Sequence, residues 1–180
     1  MLPKTWRRKD RGGRRRSVRR KAAIGLLALA AIATAPATAQ KTPSGPPYEA
    51  LELLKQERFK DAAKTCARAE NLSVEDGHLC HLVTAIAMNR LKRFPSARSA
   101  AGELVDAGPG PALEAAGHRE LGLAIVGGLK KLNRRWPRVK ASAKSLQGLK
   151  DAESSLRRSL ELMPDQPGTR IALADVLTGL

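Results

Sequence analysis

Aromatic side chains are nearly missing from this chain: two Phe, two Trp and one Tyr in 180 residues. Runs of β-branched residues are missing as well. A sandwich or barrel core is built from those two classes, so an all-β fold is excluded. No apolar run reaches the roughly 20 residues that a comfortable membrane-spanning helix requires. The only two cysteines, Cys66 and Cys80, form neither C-x-x-C nor C-x-x-C-H, which removes the sequence signals of a redox pair and of haem attachment. There is no G-x-S-x-G, no H-E-x-x-H and no phosphate loop. The glycines of "GPGP" at Gly108–Pro111 mark a turn, because the prolines there donate no hydrogen bond to a phosphate. His118 stands alone on a predicted helix and reads as a surface or core side chain. With no catalytic residue and no cofactor motif, the chain is read as non-enzymatic, without a metal or cofactor.

The N-terminus carries an address instead. Between Met1 and Lys21 there are eleven Lys and Arg against the single acid Asp10, and "AAIGLLALAAIATA" then runs from Ala22 to Ala35. Pro36 ends the run, and "ATA" at Ala37–Ala39 offers small residues before Gln40. A basic start, a short apolar run and a small-x-small exit describe a secretory signal over residues 1–39. Periplasmic or secreted localisation follows. The paired arginines of "RRSVRRK" match a twin-arginine signal poorly, which favours general export. No cysteine follows the apolar run to carry a lipid. Removal of the signal also changes the charge. The full chain has 33 basic and 17 acidic residues; without eleven and one of these, 22 face 16. Nucleic-acid binding, which the net charge of +16 would suggest, is therefore not expected.

Residues 40–47 are a linker, "KTPSGPP" being poor in core-forming side chains. The rest, 48–180, is rich in Ala and Leu and reads as helical. Three of its segments repeat: "ERFKDAAKTCARAENL", "KRFPSARSAAGELVDAGP" and "QGLKDAESSLRRSLELMP". Phe59, Phe94 and Leu149 are each followed three positions later by Ala62, Ala97 and Ala152, then by Cys66, Ala101 and Leu156. Steps of three and four place these residues on one helical face. Pro109 and Pro164 close the second and third segments. A helix precedes each, with small residues Ala50, Ala85 and Gly122 at matching places.

The pattern resembles the tetratricopeptide repeat, a helix–turn–helix unit of about 34 residues. The resemblance implies an all-α solenoid of about three repeats plus a terminal helix. The first two segments are 35 residues apart and the third is 55 from the second, which indicates a basic insertion around 130–147. The turns lack the family's usual glycine, having Glu57, Lys92 and Gln147. The resemblance further implies a scaffold that binds a protein or peptide in a groove lined by the first helix of each repeat. Leu82, Ile86, Asn89, Arg90, Arg119, Leu123 and Val126 map onto that groove.

In such a fold Cys66 and Cys80 face each other across the Leu72–Ser73 turn, and in an exported protein they are a disulfide candidate. Two buried free thiols are the alternative. A metal set of Cys66, His78, Cys80 and His81 is weaker, because neighbours on a helix diverge by about 100°. Two further functional readings come from other classes. One is a helical accessory segment of a thiol-redox or metal-handling system. The other is an adaptor for an anionic surface through Lys130, Lys131, Arg134, Arg135, Trp136 and Arg138. At the C-terminus Leu173, Val176, Leu177 and Leu180 share one arc of a final helix, with Ile171 outside it. Self-association or docking there is expected, or continuation if the 180 residues belong to a longer product.

Overall fold

The computed structural model describes residues 44–132 and 142–179, which form helices joined by turns, with no strand among the described residues. The helices are α1 (Pro46–Lys55), α2 (Phe59–Arg68), α3 (Val74–Arg90), α4 (Phe94–Asp106), α5 (Pro111–Leu132), α6 (Ala143–Leu162) and α7 (Pro167–Leu177). The signal segment lies outside the described residues.

Proline opens several of these helices. It stands in the first turn of α1, α4 and α7 and as the first residue of α5, where its fixed φ suits the helix and no donor is lost. Pro46 and Pro47, expected in a linker, therefore begin α1, and Pro47 is buried. Serine caps two others: Ser73 Oγ accepts from Asp76 N at 3.1 Å, and Ser142 Oγ from Ser145 N at 3.2 Å. Two turns, 35 residues apart, are alike bond for bond. Arg58 N donates to Leu53 O and Arg93 N to Met88 O, both at 2.8 Å. The residue before each arginine is left-handed, Glu57 at φ 60° and Lys92 at φ 58°. This is the Schellman ending, which usually carries glycine. The missing glycines did not remove the turns; the two side chains accept the strain.

Gln147, expected at a third such turn, lies inside α6. Part of the extra length goes into the helices: α5 has 22 residues and α6 has 20, against 17 and 13 in α3 and α4. The middle of the expected basic insertion, residues 133–141, lies outside the described residues.

Each helix packs on its neighbours in the chain. The odd-numbered helices also touch one another in succession, α1 on α3, α3 on α5 and α5 on α7, whereas α2, α4 and α6 touch only their sequence neighbours. Small residues stand at these crossings. Ala50, Ala62, Ala85, Ala97, Ala101 and Ala152 are all fully buried. Gly122 is the extreme case, since a Cβ built there would lie 2.7 Å from Leu156 Cγ. Leu156 itself is fully buried and cannot retreat.

This separates packing from propensity. Gly122→Val should cost about 2 kcal/mol or more, because inserting bulk into a full core strains it. Gly102→Ala, on a helix with nothing within 4 Å of the new methyl, should gain up to about 1 kcal/mol from helix propensity. Urea denaturation of the two variants beside the parent checks both signs.

Candidate functional site

The cysteine pair sits where α2 meets α3. Cys66 and Cys80 are buried in one apolar cluster with Ala62, Ala63 and Val83. They are present as free thiols in hydrogen-bond contact with each other. Burial pushes the Cys66 thiol far up, and its contact with Cys80 adds to the shift. Burial also raises Cys80, partly offset by the hydrogen bond to Cys66 and reinforced by the charge of Asp76. Neither sulfur is a thiolate near neutral pH, so neither has the character of a reactive redox cysteine. His81 turns to Glu103, with Nδ1 3.0 Å from the carboxylate. Among the described residues no three His, Cys, Asp or Glu side chains converge as a metal would need.

The residues mapped onto a groove all lie on α3 and α5, which touch. Leu82 and Val126 are buried, at 7% and 6% exposure, so they pack inside and line no groove. Ile86, Asn89, Arg119 and Leu123 are half-buried and Arg90 is exposed. The unexpected member of this face is Glu120, a carboxylate only 4% exposed. Arg119 holds one oxygen through Nη2 at 2.7 Å and Nε at 3.1 Å. Asn89 Nδ2 donates to the other oxygen at 2.9 Å and to the Glu120 carbonyl at 3.0 Å. A buried charge needs such partners, and here they tie α3 to α5. Asn89 Oδ1 is buried without a partner. Asn89 and Arg119, which the resemblance maps onto a groove, are engaged by an internal partner, the acid next to Arg119 in the sequence.

Of the basic segment, Lys130 binds Asp175 of α7 at 2.8 Å and Lys131 is exposed. Arg134, Arg135, Trp136 and Arg138 lie outside the described residues. On α7, Val176 is fully buried and Leu173 packs beside it, while Ile171 and Leu177 are 59% and 46% exposed. Leu177 shares the arc of Leu173 and Val176 but remains open to solvent. Leu180 lies outside the described residues. No helix among them is long and apolar enough to cross a membrane.

A groove of about 280 Å³ lies elsewhere, between α2 and the α3–α4 corner, lined by Lys60, Ala63, Lys64, Ala67, Met88, Leu91 and Arg93. None of these was singled out as a site from the sequence. The chain matches no protein-family model, no curated protein and no solved structure.

His118 contributes a pH dependence. Burial lowers its pKa below the ordinary value near 6.5, against the pull of Glu114, 3.8 Å from Nε2, and with the push of Arg158. Nδ1 is buried without a partner. The unfolded chain therefore takes up a proton at a higher pH than the folded one. Stability from this group is complete above about pH 6.5 and is lost as pH falls through the folded value. The midpoint of urea unfolding should drop between pH 7 and pH 5, and His118→Leu should flatten that drop.

Proposed function

We propose that this chain is an exported helical scaffold, similar in build to tetratricopeptide repeat proteins, that holds a protein or peptide partner against its odd-numbered helices. The observation that carries the reading is the row formed by α1, α3, α5 and α7, with the even helices kept apart from one another. Stacked helix pairs give that arrangement, and the recurrence of Ala50 and Ala62, Ala85 and Ala97, Gly122 and Ala152 at fully buried crossings supports it. The row leaves Ile86, Arg90 and Leu123 at least partly accessible on two touching helices. This mixed apolar and cationic strip suits an extended or helical segment better than a small molecule.

A photo-reactive amino acid at Arg90 or Leu123 should cross-link a discrete partner in the natural host. The same probe at Lys150, exposed on α6, should not. Equal adducts from both faces, or none from the odd helices, would remove the groove reading.

Export by way of residues 1–39 is part of the proposal. In an oxidising compartment a disulfide-bearing oxidant would take two electrons and two protons from Cys66 and Cys80, become a dithiol itself, and leave a disulfide closing a 15-residue loop. Closure of that length stabilises a fold by about 3 kcal/mol in the chain-entropy model. Protein recovered from outside the cytoplasm should therefore resist alkylation until reduced. Its thermal midpoint should then fall by several degrees, and two free thiols in the untreated material would contradict the pairing.

A further inference from the structure

The groove between α2 and the α3–α4 corner is not part of the odd-helix face. It exists because α2 and α4 do not touch. One wall is the Lys60–Ala63–Lys64–Ala67 stripe of α2, whose steps of three and four keep it on one side of that helix. The other is formed by Met88 and Leu91 from the end of α3 and by Arg93 before α4. Met88 and Leu91 are half-buried, Ala63 is buried, and the three cations are exposed.

Its electrostatics are one-sided. No acid lines the groove. The side chains of Lys60, Lys64 and Arg93 have no ion pair or hydrogen bond among the described residues. Their neighbour Arg58, by contrast, is held by Asp61 at 2.9 Å. The imbalance is local: residues 44–132 and 142–179 together carry 17 basic and 16 acidic side chains. Three unneutralised cations around an apolar floor repel one another, and an anionic occupant relieves that repulsion. The size decides what kind of occupant. A cavity of about 280 Å³ falls below the ~300–1,000 Å³ of ordinary small-molecule pockets, so it accepts a side chain or two. Lys60 and Lys64 are one helical turn apart, and carboxylates one turn apart on a partner helix would meet them.

We propose that this groove docks an acidic amphipathic segment of a partner protein. Its apolar side chain enters over Ala63, Met88 and Leu91, its paired carboxylates meet Lys60 and Lys64, and a further carboxylate meets Arg93. A flat anionic membrane would engage the cations but leave the apolar floor unused. The site is separate from the odd-helix strip, and the two readings stand or fall independently.

The test uses the full-length protein and a fluorescein-labelled helical peptide with Glu at every fourth position and Leu between. Fluorescence anisotropy should show saturable binding that weakens with salt. Lys60→Glu with Lys64→Glu should weaken it about tenfold or more, since like charges across an interface are strongly unfavourable. Both positions are exposed, so the fold is not at risk, and circular dichroism verifies this. Lys144→Glu, an exposed cation on α6 outside the groove, should change nothing. Peptides with Gln for Glu, or Ala for Leu, should each bind weakly. No binding, equal loss with Lys144→Glu, or indifference to the Leu-to-Ala change would overturn the proposal. So would phosphatidylserine vesicles that bind more tightly than the peptide and lose binding on the same double substitution.

Discussion

Helix α5 lies against α3, α4, α6 and α7, and it can do so only where its own side chains leave room. Gly117 faces Leu104 and Val105 of α4, Gly122 faces Leu156 and the Ala152 carbonyl of α6, and Gly127 faces the ring of Phe94. A methyl at any of the three would lie within 3.1 Å of a neighbour. Glycine inside a helix costs up to about 1 kcal/mol relative to alanine. Three on one helix are tolerated because the close approach lets large residues such as Leu104 and Leu156 bury completely. With few aromatics, this chain builds its core from aliphatic side chains such as Leu104, Leu149 and Leu156 and from close backbone approach at small residues.

Close packing of smooth surfaces leaves helices free to slide, and buried polar contacts fix their register. Glu120, held by Arg119 and Asn89, does this between α3 and α5. A second group does it where α5, α6 and α7 meet. Ser159 Oγ donates to Ala115 O at 2.7 Å, Gln166 Nε2 donates to Ser159 O and Met163 O, and Thr169 Oγ1 donates to Gln166 Oε1. Gln166 thereby adds a second donor to the Ser159 carbonyl, which already accepts from Met163 N at 3.0 Å, and satisfies the carbonyl of the C-cap residue Met163. A buried polar group of this kind adds little net stability, but an alternative register would leave it unpaired.

Most of the helices were legible in the sequence, for a local reason. Phe59, Phe94 and Leu149 with their following alanines mark helical faces, and prolines mark ends and beginnings. The turns at Glu57 and Lys92 were placed correctly without their glycines, because the surrounding pattern, not the turn residue, located them. Gln147 misled, since the step from Leu149 to Ala152 marks a helical face but not where that helix begins. The site was less legible. Position along α3 and α5 selected Asn89 and Arg119, yet position could not reveal that Glu120 would claim both. The resemblance placed Leu82 and Val126 on an open groove, but the touching of α3 with α5 and of α5 with α6 and α7 closes around them. The cationic groove draws on residues from Lys60 to Arg93 on two separate helices and a corner, and no linear pattern joins them.

Everything proposed about the odd-helix face depends on α3 and α5 being direct neighbours, although α4 lies between them in the chain. A double-mutant cycle on Asn89→Ala and Glu120→Ala, read by chemical denaturation, measures that contact most directly. Residues in contact through a shared hydrogen bond couple by roughly 0.5–3 kcal/mol, whereas separated ones add. Coupling in that range is the expected result. Strict additivity of the two substitutions would mean that α3 and α5 do not meet as described, and the row of odd helices would be lost with them.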